Sequence, residues 1–109
     1  MFLKAITIPN SITEIPNYAL SGCLELETVT TLKSVTSIGF SAFDSCSKLT
    51  SIAIPDSVTC VGSAAFMYCS GLTSIAIPKS LTFIDDYTFY LCSSLESVSI
   101  PEGATITKY

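Results

Sequence analysis

The stretch Leu49-Thr-Ser-Ile-Ala-Ile-Pro-Asp-Ser-Val58 returns almost letter for letter as Leu72-Thr-Ser-Ile-Ala-Ile-Pro-Lys-Ser-Leu81, 23 residues later. A fixed period in this range marks a solenoid, in which each repeat is one coil that cannot bury its own apolar face and stacks on its neighbours instead. Aligned on that period, the chain divides into a partial coil at 1–8, coils at 9–31, 32–54, 55–77 and 78–100, and a trailing fragment at 101–109. The expected fold is a β-rich repeat solenoid of about four to five coils.

The columns of the alignment say what each part of a coil does. The first runs Leu3, Leu26, Leu49, Leu72, Leu95; three residues on come Ile6, Val29, Ile52, Ile75, Val98, and two further on Ile8, Thr31, Ile54, Ile77, Ile100. Residues two apart on an extended chain share a face, and β-branched residues dominate this pair, so each coil should carry one short strand, stacked in parallel at ~4.8 Å per coil. Pro9, Pro55, Pro78 and Pro101 then remove a backbone donor and end the ladder. Ser11, Ser34, Ser57 and Ser80 follow two residues after that position, where a stacked hydroxyl can cap backbone groups at the corner.

A second alternation, through Ile12, Val35, Val58, Leu81 and then Ile15, Ile38, Val61, Ile84, predicts another short extended segment on the opposite side of the coil. Gly39 and Gly62 come next and predict a tight bend, with Pro16 and Asp85 in their place in the outer coils. The segments Ser41-Ala-Phe-Asp-Ser-Cys46, Ala64-Ala-Phe-Met-Tyr-Cys69 and Tyr87-Thr-Phe-Tyr-Leu-Cys92 set an aromatic and a cysteine three apart. That spacing turns both inward on one turn of α- or 3₁₀-helix.

Several chemistries are disfavoured. The chain has no histidine, so neither a serine nor a cysteine has the usual base to activate it. Cys23, Cys46, Cys69 and Cys92 share one column a full coil apart, whereas zinc sets use pairs about two to four residues apart, so these read as a ladder of buried, reduced thiols. Bridging them would require backbone movement, because their Cβ vectors should run parallel. Cys60 shares its column with Glu14, Ser37 and Phe83, which marks an outward, unactivated thiol.

Asp85-Asp86 is the only adjacent carboxylate pair, too few oxygens for a calcium ion, which takes about six or more. No cofactor, metal or enzymatic activity is expected. With 9 acidic against 5 basic residues the net charge is −4, which does not attract nucleic acid or an anionic membrane surface. The composition is 49% hydrophobic, yet no apolar run approaches the roughly 20 residues of a spanning helix. The N-terminal stretch carries no signal-peptide pattern, which suggests a cytosolic protein or an excerpt from a longer precursor.

Residues 54–77 follow the pattern Ile-Pro-x-Ser-Val-Thr-x-Ile-Gly-x-x-Ala-Phe-x-x-Cys-x-x-Leu-Thr-Ser-Ile-x-Ile, with Val61 in the second Ile position. The chain thus resembles the BspA-like (Treponema-type) leucine-rich repeat family, and the resemblance runs over essentially its whole length. It implies a curved leucine-rich-repeat solenoid that is part of a cell-surface or secreted protein of bacteria or protists and serves adhesion and protein recognition, with a host or cell-surface protein as partner. The alternative is a structural spacer or stalk that carries another domain. The first coil departs from the pattern at Leu20, Leu24 and Thr31-Leu32 and should be less regular.

The strand residues that face outward, among them Thr50, Ser51, Ala53, Thr73, Ser74 and Ala76, are small and nearly uncharged and offer few anchors for a partner. Aromatics in columns that are otherwise polar or small lie in the later coils. Tyr68, Phe83, Tyr87 and Tyr90, with Asp85 and Asp86 beside them, are expected to form a contact patch, the alternative being that they cover neighbouring coils. Both ends stop in mid-pattern, which predicts end-to-end self-association or capping by Met1-Phe2 and by residues 105–109.

Overall fold

The computed structural model describes residues 3–30, 33–81, 83–85 and 87–99. The expectations for Asp86, for the ends at Met1-Phe2 and 105–109, and for the trailing fragment fall outside these residues. The strands are β1 (Ala5–Thr7), β2 (Glu14–Ile15), β3 (Thr28–Thr30), β4 (Ser37–Ile38), β5 (Ser51–Ala53), β6 (Cys60–Val61), β7 (Ser74–Ala76) and β8 (Ser97–Ser99). Every pairing is parallel and joins residues 23 apart, as in Ile6 with Val29, Ile52 with Ile75, and Ile38 with Val61. The sequence period is thus the register of the sheets.

One side of the solenoid carries β1–β3 and β5–β7–β8; the other carries β2–β4–β6. On the first side Val29, Ile52 and Ile75 are buried between exposed neighbours, as strict alternation requires. No ladder joins β3 to β5, so the first sheet is split between the coils that carry them. The serine corner behaves as expected. Ser34 Oγ donates to the Ile12 carbonyl at 2.8 Å, and Ser57 and Ser80 donate to Val35 and Val58 at 2.7 Å, so each hydroxyl ties its coil to the preceding one.

The third side differs from the sequence expectation in its local geometry. The aromatic and cysteine columns do turn inward, but no helix carries them among the described residues. Tight turns do: the Ala42 N–H donates to Gly39 O at 3.3 Å, and Cys46 N–H to Phe43 O at 3.2 Å. Ser41 (φ 54°) and Ser45 (φ 67°) sit in the left-handed region, which interrupts any helical course. Alternate N–H groups of each turn segment bond to the next coil instead. Phe43 donates to Ala65 O at 2.8 Å, Ser45 to Met67 O at 2.8 Å, and Tyr68 to Tyr90 O at 2.9 Å. Donors committed to a neighbouring coil are not available for the i−4 bonds of a helix.

Gly62 is required for a different reason from the expected bend. A Cβ there would lie 2.6 Å from Phe40 N, so the glycine lets two coils approach closely. Gly22, by contrast, has φ 78° and open space around a would-be Cβ, so its role is conformational.

The core runs the length of the solenoid between the three sides. Leu26, Leu49 and Leu72 are fully buried. Phe43 and Phe66 stack at 5.3 Å with parallel rings, and Phe66 and Phe89 at 5.8 Å and 13°. Beside them Cys23, Cys46, Cys69 and Cys92 form the reduced, buried ladder that the spacing predicts. Three of the thiols donate to a carbonyl of the coil before: Cys46 to Leu20 at 3.3 Å, Cys69 to Phe43 at 3.1 Å and Cys92 to Phe66 at 3.0 Å.

Candidate functional site

Left-handed backbone recurs at one column of the turn segments, in Gly22 (φ 78°), Ser45 (φ 67°), Tyr68 (φ 60°) and Leu91 (φ 58°). Glycine fills this position most cheaply, yet the later coils place a tyrosine and a leucine there, both exposed. Tyr68 meets Tyr90 at 6.3 Å and 68°, and Tyr90 meets Tyr87 at 5.6 Å and 72°, both edge to face. The turn segments thus bring Tyr68, Tyr87 and Tyr90 into one exposed cluster.

The other predicted residues take different places. Phe83 is 57% exposed. It continues the outward column of β2, β4 and β6. Asp85 is partly buried, and its Oδ1 accepts from Ser63 Oγ and from the Tyr87 N–H, each at 3.0 Å. Its carboxylate therefore fixes the start of the segment that carries Tyr87. Sequence reasoning missed Tyr18, which is 59% exposed and packs edge to face on Phe40 at 5.4 Å and 80°. The signal was available: Tyr18 stands in the column of Tyr87, 69 residues earlier.

Two shallow grooves mark the surface. One, of about 420 Å³, runs beside β2, β4 and β6 over Gly39 and Gly62, with Glu14 and Phe40 on its walls. The other, of about 530 Å³, opens at the split in the first sheet and is lined by Glu27, Thr28, Lys48 and Thr50. Lys48 Nζ pairs with Glu25 at 2.8 Å one coil away, and this contact holds the Glu25 carboxyl below its usual range and raises Lys48.

The thiols are poor nucleophiles. Burial, reinforced by Cys23, pushes Cys46 up to about 12, and burial pushes Cys92 up to about 11. Cys69 shifts upward for the same first reason, with Cys46 and Cys92 adding to it. Cys60 is exposed, as its mixed column predicts. Among the described residues no group of Cys, Asp and Glu is placed to hold a metal ion, and no helix is long and apolar enough to cross a membrane.

The family model for the BspA type leucine-rich repeat region matches residues 2–109 in six copies. The chain belongs to the BspA-type leucine-rich repeat family. BspA-type repeat regions are protein-interaction modules. Solved structures with the same repeat fold include the leucine-rich repeat protein of T. pallidum, with TM-score 0.76 and 23% identity over 89% of this chain and 58% of that one. A leucine-rich repeat protein from Bacteroides ovatus matches with TM-score 0.68 and 31% identity over 91% of this chain and 32% of that one. One from Eubacterium ventriosum matches with TM-score 0.72 and 26% identity over 90% and 33%. The BspA-type chain thus spans between about a third and somewhat over half of the length of these proteins. Among curated proteins none matches it.

Proposed function

We propose that this BspA-type repeat region is a non-enzymatic recognition segment of a cell-surface or secreted protein, and that it binds a host or cell-surface protein through the turn face of its later coils. The observation that carries this reading is the exposed cluster of Tyr68, Tyr87 and Tyr90. Tyrosines combine large apolar area with a hydroxyl and few rotors, which is why they dominate contact energies where they cluster. Asp85 contributes to this patch by positioning Tyr87.

The test is binding of the purified chain to a panel of immobilised extracellular-matrix and epithelial-surface proteins, beside the Tyr87→Ala, Tyr90→Ala double variant. Saturable binding that falls about thirtyfold or more in the variant, as loss of one hot spot of about 2 kcal/mol would produce, supports the reading. Unchanged binding with a lower melting temperature would mean that the tyrosines only cover neighbouring coils.

A spacer is the second reading, favoured by the outward residues of the first sheet. Ala5, Thr28, Ser51, Ala53, Ser74 and Ala76 are exposed, small and uncharged. Failure of the wild-type chain to bind any member of the panel, with the fold intact, would favour it.

A further inference from the structure

We infer that the groove beside β2, β4 and β6 receives an arginine side chain from an extended segment of the partner protein. The inference rests on the protein-interaction reading and adds the chemistry of one contact, on a surface separate from the tyrosine cluster.

The floor of the groove is Gly39 and Gly62. A Cβ at either would lie 2.6 Å from backbone of the preceding coil, so the register of the solenoid itself keeps the floor bare. A bare floor between walls of side chains leaves about 420 Å³, room for one long side chain and a stretch of backbone. Among the described residues, Glu14 is the one charged residue lining it. Its exposed carboxylate receives Ser37 Oγ at 3.5 Å, and among the described residues no Lys or Arg pairs with it. The groove therefore presents an uncompensated negative group on a chain whose net charge is already −4.

An aromatic in the same lining selects the shape of the cation. Phe40 is 40% exposed, and Tyr18 packs against it at 5.4 Å and 80°. An aromatic face beside a carboxylate suits a planar guanidinium, which can stack and donate at once, better than a compact ammonium. The apolar stem of the arginine would lie along the glycine floor. Asn17 Oδ1 accepts from the Phe40 N–H at 2.8 Å, which orients the side-chain amide and leaves its NH₂ to donate to a carbonyl of the partner's backbone.

The experiment titrates the whole ¹⁵N-labelled chain with N-acetyl-arginine amide, and separately with its lysine and citrulline analogues, while amide shifts are followed. Expected are saturable shifts in the millimolar range centred on Ile38, Gly39 and Phe40 for arginine, weaker binding of lysine and none of the uncharged citrulline. Glu14→Gln should weaken arginine binding about threefold, the size of one exposed ion pair. Phe40→Ala should weaken it as well, whereas Tyr87→Ala with Tyr90→Ala should leave it unchanged. Shifts that citrulline reproduces, that centre on Glu25 and Glu27, or whose affinity Glu14→Gln leaves unchanged would overturn the inference, and equal affinity for lysine would overturn the choice of arginine. Because the small probes do not depend on the panel proteins, failure of the groove and failure of the tyrosine patch are read separately.

Discussion

At the scale of single residues, the repeat is its own control, because each position can be compared with its equivalents one coil away. Thr88 shows this well. Its column is otherwise Ala19, Ala42 and Ala65, and the hydroxyl is fully buried with no hydrogen-bond partner. A buried, unsatisfied hydroxyl costs the desolvation of its polar atom without a return. Thr88→Val keeps the shape and removes that atom, so it should raise stability by about 1 kcal/mol in urea unfolding. A lower midpoint in Thr88→Val would show that the hydroxyl finds a partner in solution.

At the scale of the element, the cysteine ladder is a stack of buried, neutral thiols, three of them bonded to carbonyls one coil back, and their burial makes stability depend on pH. Burial raises the thiols from an ordinary value of 9.0 to about 12 at Cys46 and about 11 at Cys92. Below pH 9 the thiols are protonated in folded and unfolded chains alike, and their contribution is complete. Above pH 9 the unfolded chain loses protons that the folded chain keeps, so stability falls as pH rises towards 11 and 12 and then levels off. Under reducing conditions the melting temperature should decline across that window, and Cys46→Ala should decline less steeply than the parent. Parallel pH profiles for the two proteins would remove Cys46 from this account.

At the scale of the whole molecule, stability is a sum of coils and of the interfaces between neighbours. Phe66 belongs to two such interfaces, stacking on Phe43 at 5.3 Å and on Phe89 at 5.8 Å, and it is fully buried. Phe66→Ala should cost about 4 kcal/mol and loosen the coils on both sides of it. Phe89 is only partly buried, so Phe89→Ala should cost less and leave the Phe43–Phe66 stack in place. Urea unfolding checks the order, and hydrogen exchange at the Phe43 and Phe66 amides, which bond across coils at 2.8 Å and 3.0 Å, checks where the loosening occurs. Equal losses in the two variants would contradict nearest-neighbour behaviour.

The sequence by itself determined the solenoid, its period, the parallel register, the inward columns of Leu, Phe and Cys, and the outward Cys60. A strict repeat forces equivalent residues into equivalent environments, so patterning alone assigns each column to core or surface. Three things were decided only by the tertiary structure. The turn segments forgo a helix because their N–H groups bond to the next coil, a partner 22 residues away that no local propensity describes. Gly39 and Gly62 are needed for close approach between coils rather than for a bend. The grouping of Tyr68, Tyr87 and Tyr90, the separate place of Phe83 and the groove beside Glu14 depend on how side chains from adjacent coils meet. Columns record what each coil contributes, whereas a surface site is made by contacts between columns, and those appear only once the coils are stacked.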